Sequence, residues 1–249
     1  MFEKIMRECR ERFSGFAREA APERRRGLRS FREAIAEAER RGVNPIIAEV
    51  KFSSPRGRLR EPGGVAEIVR AMHRGGACGV SVLTEQRYFS GSLEYLRQAS
   101  EASPLPVLRK DFIFAEEQVD EAYAYGADAV LLIASLLAEE ELQRLMRRCS
   151  ELGMEALVEV HSEEDVRLAE RCGARIYVIN NRDRDTLETD LSRSERLAPL
   201  VKGTAIAASG VEKPEDVRRL LACCDAVLVG TCIMRSPDVE QATRRLVHA

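Results

Sequence analysis

The chain has 249 residues, 45% of them hydrophobic and 32% charged, with a formal net charge of −2. That length fits one large α/β barrel or two small domains, and the hydrophobic share can fill a sizeable core. The near-neutral balance offers no basic field for nucleic acid, and no apolar run reaches membrane-spanning length, so neither partner is expected.

Residues 1–40 read as charged helices. Phe2, Ile5, Met6, Cys9, Phe13 and Phe16 fall at helical spacing, followed by Leu28, Phe31 and Ile35, and Pro22 separates the two pieces. The opening MFEKIMRECRERF has no apolar h-region, so it does not read as a signal peptide.

After Pro45 the pattern changes to short apolar runs that alternate with amphipathic helices. The runs cover 45–51, 79–84, 106–110, 127–133, 155–160, 176–180, 204–208 and 226–230. They lack strict in/out alternation, as parallel strands covered on both faces do. Helices are predicted over 65–75, 93–101, 115–125, 139–152, 163–171, 186–197, 214–221 and 239–247. Ser162 and Asp238 stand where N-caps belong, and Gly75, Gly126, Gly153 and Gly173 where helices end.

Eight βα units in about 200 residues predict a (β/α)₈ TIM barrel. The rival is an open doubly wound sheet, but no G-x-G-x-x-G follows the first strand. The expected organisation is one domain over 1–249, with a helical extension at 1–44 and the barrel at 45–249.

The seven cysteines are scattered without a C-x-x-C, which reads as reduced thiols of a cytoplasmic protein. Cys223-Cys224 is expected as packing before the last strand. The three histidines (His73, His161 and His248) have no metal-ligand spacing, so no metal is expected. Lysine occurs only at positions 4, 51, 110, 202 and 213. Lysine, unlike arginine, can be tuned to exchange a proton.

Barrels of this kind carry their chemistry at the C-terminal ends of the strands. There the sequence places Glu49 and Lys51, Thr84-Glu85, Arg109-Lys110-Asp111, Glu159, Asn180-Asn181-Arg182, Ser209-Gly210 and Gly230-Thr231. Glu49 and Lys51 are two apart and share a face. They form either an ion pair plugging the barrel or part of a site, and Lys110 and Glu159 on the same rim favour the site. Lys110 faces opposite to Arg109 and Asp111, and suits a general acid or, on the plainer reading, an anion anchor. Glu159 suits a base or a stabiliser of a developing cation, and is also a natural partner for either lysine. Ser209-Gly210 and Gly230-Thr231 suit phosphate, which glycine lets approach backbone N–H groups. Arg56 and Gly57 mark a loop that can close over a substrate. His161 is expected as a loop or helix-start residue rather than a catalyst.

The blocks IIAEVKFSSP, VLTEQRYFSGSLEYL, PVLRKDFIF, GADAVLLIASLL, LVEVH, INNRDRDTLETDL and LVGTCIMR, in this order, resemble the indole-3-glycerol-phosphate synthase family over about residues 45–237. The resemblance implies a cytoplasmic lyase of tryptophan biosynthesis that uses no cofactor or metal. Its substrate would be 1-(2-carboxyphenylamino)-1-deoxyribulose 5-phosphate, converted to indole-3-glycerol phosphate, CO₂ and water by ring closure, decarboxylation and dehydration. By the same resemblance Lys110 is the general acid on the ketone oxygen, and Glu159 serves the dehydration. Lys51 binds the substrate carboxylate or phosphate and can share the acid role. Glu49 and Asn180 orient these groups, and Arg182 supports the network. Ser54, Ser209, Gly210, Gly230 and Thr231 match phosphate-binding positions, while Tyr88 and Phe112 match apolar walls around the anthranilate ring.

Departures from the family pattern are Phe52, Arg56, Thr231 and Ala208. Only Ala208, where the family has a glutamate, reaches the chemistry. The runner-up reading is another sugar-phosphate barrel such as a phosphoribosyl isomerase, which commonly has Asp or Cys at strand ends where this sequence has Lys and Glu; a second alternative, which Ala208 alone supports, is an impaired paralogue that only binds a phosphorylated ligand. Association with other tryptophan-pathway enzymes is a further expectation of the resemblance.

Overall fold

Each apolar run lies beside the next one in sequence, and the last returns to the first. The computed structural model describes residues 1–13, 23–54 and 57–249. In it, β1 (Ile46–Val50), β2 (Gly79–Leu83), β3 (Val107–Lys110), β4 (Ala129–Ile133), β5 (Glu155–Val160), β6 (Ile176–Asn180), β7 (Thr204–Ala208) and β8 (Ala226–Val229) form a closed barrel. Neighbouring strands are parallel throughout, and β8 closes on β1 with Ile46 opposite Val227 and Ala48 opposite Val229. This is the expected (β/α)₈ barrel. Every residue of β1, β2, β4 and β6 is buried, which explains why these strands are mostly apolar and lack in/out alternation.

Two helices precede the barrel, α1 (Phe2–Phe13) and α2 (Phe31–Arg40). Those that follow the strands are α3 (Val65–Arg74), α4 (Leu93–Ala102), α5 (Glu116–Ala124), α6 (Glu139–Glu151), α7 (Glu163–Arg171), α8 (Ser192–Leu197), α9 (Pro214–Leu221) and α10 (Val239–Val247). Ser162 caps α7 by accepting from the Asp165 N–H, and Asp238 caps α10 by accepting from the Gln241 N–H. Among the described residues no helix is long and apolar enough to cross a membrane.

The extension reaches both ends of the barrel. At the bottom, where strands begin, Phe31 packs so tightly on Gly79 that a Cβ there would lie 2.6 Å from its ring. The Ser30 hydroxyl and the Phe31 N–H donate to Glu155, at the first position of β5, over 2.7 and 2.6 Å. At the top, α1 crosses the mouth. Its Glu8 accepts from Tyr88 Oη at 2.8 Å and from Arg87 at 2.9 Å, and its Arg12 pairs with Glu85 at 3.0 Å.

Three sequence expectations need correction. Residues 186–191 are not helical; only α8 is. Thr189 instead bridges antiparallel to Arg182, and Leu187 holds a left-handed φ of 62° that no helix tolerates. Leu28 is not part of a helical stripe. It is 39% exposed, because Arg24 and Arg26 on Asp128 fix this stretch in non-helical form. A hairpin of two-residue strands, Ser53–Ser54 and Gly57–Arg58, follows β1 where only a loop was expected. Phe16, Pro22 and Arg56 lie outside the described residues.

Candidate active site

The strand ends surround a cavity of about 580 Å³ at the mouth of the barrel. Its chemistry is built from two charged pairs. The first comes from β1, whose pleat sends Glu49 and Lys51 to the same side. Lys51 Nζ sits 2.8 Å from Glu49 Oε1, and Ser81 on the neighbouring strand donates to Glu49 Oε2 over 3.5 Å. Glu49 is 3% exposed. A buried carboxylate is costly without partners, and here it has two.

The second pair spans the barrel interior. Lys110 at the end of β3 brings its Nζ to 3.7 Å from Glu159 Oε2 on β5. The Arg-Lys-Asp block is sorted by the same alternation. Arg109 turns outward and is held by Thr84 at 3.1 Å, the Gln118 carbonyl at 2.8 Å, Glu121 at 2.8 Å and Asp111 at 3.2 Å. With both neighbours tied to the outer layer, Lys110 is left to face the cavity.

Glu159 lies just behind the cavity wall and is fully buried. Burial alone would raise its pKa. The charge of Lys110 and hydrogen bonds from His161 and Asn180 outweigh burial and pull the carboxyl down to about 2. Asn180 Nδ2 and His161 Nε2 each lie 3.0 Å from Oε1, whereas Oε2 has no hydrogen-bond partner among the described residues. Asn180 Oδ1 accepts the Arg182 N–H at 3.0 Å, and the Arg182 guanidinium holds the Leu187 carbonyl at 2.8 Å.

The far end of the cavity has the features of a phosphate seat. Ser209 and Gly210 both take left-handed backbone conformations, at φ 69° and 89°. For serine this costs about 1 kcal/mol or more, and such strain gathers at functional sites. Gly230 and Thr231, past the end of the neighbouring strand β8, line the same cavity, as does Ser54 from the hairpin.

Of the sequence candidates, Glu49, Lys51, Ser54, Lys110, Asn180, Arg182, Ser209, Gly210, Gly230 and Thr231 all line this one cavity. Tyr88 and Phe112 do not. Residues Gln86–Phe89 form a helical turn, so Tyr88 points out to Glu8 and Phe89, one residue on, reaches the wall. Phe112 sits behind Phe2, edge to face at 5.9 Å, and Phe2 of α1 lines the cavity instead. Glu85 stands just past the end of β2, as expected, but does not line the cavity: its carboxylate accepts the Arg87, Tyr88 and Phe89 N–H groups that start this turn.

Sequence reasoning missed Phe2, Phe89, Leu187, Arg235 and Arg245, which line the cavity, and the contact of His161 with Glu159. Phe2 had only its helical spacing as a signal. His161 had its position two residues beyond Glu159, which puts it on the same face.

Comparison with known proteins bears on this arrangement. A family model described as indole-3-glycerol phosphate synthase matches residues 3–246. An indole-3-glycerol phosphate synthase of Methanopyrus kandleri is 45% identical, over 99% of this chain and 98% of that protein. One of Thermococcus kodakarensis is 44% identical, over 86% of this chain and 96% of that protein. Among solved structures, a thiamine phosphate pyrophosphorylase from Pyrococcus furiosus superposes with a TM-score of 0.61 at 20% identity, covering 82% of this chain and 93% of that one. At that identity the likeness is one of fold alone.

Proposed function

The chain belongs to the indole-3-glycerol phosphate synthase family, and from that membership we propose how its side chains divide the work. The enzyme is a carbon–carbon lyase of tryptophan biosynthesis that closes the ring of its phosphorylated substrate and releases CO₂. The observation that carries the assignment is the pairing of Lys110 with Glu159 at 3.7 Å in a mouth that also holds Lys51 and Glu49.

The substrate phosphate binds between Ser209-Gly210 and Gly230-Thr231, with Ser54 over it. The anthranilate ring lies toward Phe2 and Phe89, and Lys51 meets the substrate carboxylate. Holding the ring carbon against the ketone supplies proximity. As the carbon–carbon bond forms, the Lys110 ammonium gives its proton to the ketone oxygen. Carbon dioxide then leaves and returns its electrons to the ring.

Dehydration follows, and here the depressed pKa of Glu159 has a role. In the resting enzyme a carboxyl near 2 is a poor base but a good partner for a cation. Once Lys110 has given up its proton, the charge that most lowered that pKa is gone. Glu159 then becomes more basic and takes a proton from the methylene carbon beside the nitrogen, while Lys51 gives a proton to the hydroxyl, which leaves as water as the ring double bond forms. Asn180 and Glu49 keep the two working groups aimed, and Arg182 holds the loop that carries Leu187.

We read residues 1–249 as one barrel domain with its extension, working in the cytoplasm and free to associate with other enzymes of the pathway. The test is turnover of 1-(2-carboxyphenylamino)-1-deoxyribulose 5-phosphate followed by indole fluorescence and CO₂ release. Wild-type turnover that is lost in both Lys110→Met and Glu159→Gln supports the assignment. Isomerisation without CO₂, or binding without turnover, overturns it.

A further inference from the structure

His161 stands outside the set of groups assigned above, yet its ring reaches the reacting carboxylate. Nε2 lies 3.0 Å from Glu159 Oε1, and the residue is 9% exposed. An ionised carboxylate only accepts hydrogen bonds, so Nε2 carries the proton and donates it. The other nitrogen, Nδ1, is buried without a partner among the described residues. A buried polar atom left unsatisfied costs stability, and a histidine kept only for packing would be expected to have both nitrogens satisfied or be replaced by an apolar residue. The contact with Glu159 is what this imidazole is held for.

From this geometry we infer that His161 is a positioning residue: with Asn180 it clamps Glu159 Oε1, so that the unpartnered Oε2 is aimed at Lys110 and the bound substrate. Two donors on one oxygen fix the rotation of the carboxylate. Without the imidazole only Asn180 holds Oε1, and the carboxylate is free to rotate off that aim. The ring is itself held firmly. Its backbone N–H donates to Asp165 of α7 at 2.8 Å, and Phe2 of α1 packs edge-on at 6.4 Å. The charged or titratable groups facing it are therefore Glu159 from its own strand, Lys110 beyond that carboxylate, and Asp165 at its backbone.

This inference rests on Glu159 being the working carboxylate. The experiment is steady-state kinetics of the full chain on the carboxyphenylamino-deoxyribulose phosphate, with His161→Ala, His161→Gln and Glu159→Gln side by side and thermal unfolding as a fold control. His161→Ala is expected to lower kcat about tenfold to a hundredfold, the worth of one hydrogen bond to a charged group, with KM changed by no more than about twofold. The acid limb of its kcat profile moves to higher pH, because the Glu159 carboxyl has lost a donor. His161→Gln, whose amide can reach the same oxygen, recovers most of the loss. A wild-type kcat and an unmoved acid limb in His161→Ala overturn the inference. So does a folded His161→Gln that is no faster than His161→Ala. Full activity in Glu159→Gln is a different failure, since it removes the carboxylate assignment itself.

Discussion

Gly230 at the end of β8 lies directly against Glu49 of β1: a Cβ on the glycine would sit 2.6 Å from Glu49 Oε1 and 3.1 Å from its Cβ. Its φ of −120° is open to any residue, so the glycine is needed here for space and not for backbone freedom. The same oxygen holds Lys51 at 2.8 Å. Gly230→Ala is therefore expected to push the carboxylate off the lysine and lower kcat/KM by about tenfold to a hundredfold, the scale of a 1 Å misplacement. Thermal stability should fall only slightly. Kinetics beside a melting curve checks this, and unchanged kinetics would show that Glu49 has room to retreat without releasing Lys51.

Lys110→Met keeps most of the length of the side chain and removes the ammonium. Ring closure should slow by about a hundredfold to ten-thousandfold, the range for a general acid. The barrel should still fold, since Glu159 keeps His161 and Asn180 as donors. Circular dichroism and a single-turnover fluorescence trace separate the two effects. A near-normal rate would take Lys110 out of the chemistry.

The burial of Glu159 also makes a prediction about acid stability. Its pKa falls from an ordinary 4.5 to about 2 on folding. A depressed carboxyl stabilises the fold above its unfolded pKa, and the contribution is lost as pH falls through the folded value. The change corresponds to roughly 3 kcal/mol, present in full above about pH 5 and gone near pH 2. Urea unfolding of wild type and Glu159→Gln should show a stability gap that narrows steadily from pH 5 to pH 2. A gap that is constant over this window would mean that folding does not lower the pKa of this carboxyl.

The barrel could be read from the chain because its strands obey a local rule. Runs such as Glu155–Val160 and Ile176–Asn180 have apolar middles because both faces are covered there, and their polar residues stand toward the ends, Glu155 at the bottom and Glu159 and Asn180 at the mouth. That rule placed Lys110, Glu159 and the two glycine-containing strand ends. It has no hold on segments whose shape depends on distant partners. Thr186–Leu191 carries helical spacing, but Arg182 draws the Leu187 carbonyl into a bend instead. Phe2 reaches the cavity because α1 is fastened by Glu8 and Arg12 to residues more than 70 positions away. The exchange of Tyr88 for Phe89 turns on a single helical turn, which Glu85 nucleates by capping three N–H groups. None of these contacts leaves a periodic trace.

Ala208, where the family pattern has a glutamate, is buried, lines the cavity and lies in register with Asn180 and Leu228. Both lysines of the site already have a carboxylate, Lys51 with Glu49 and Lys110 with Glu159. A second acid on this wall thus finds no unpaired lysine in the resting enzyme. Ala208→Glu alone is expected to change kcat/KM by less than about threefold, whereas Glu49→Gln alone should lower it by about tenfold or more. The double variant is the informative one. If Glu49 covers for the missing acid, Ala208→Glu should restore part of what Glu49→Gln loses, giving a coupling of about 1 kcal/mol or more in a double-mutant cycle. Strictly additive effects would mean that the two positions serve different parts of the substrate, and that the lysine at position 51 depends on Glu49 alone.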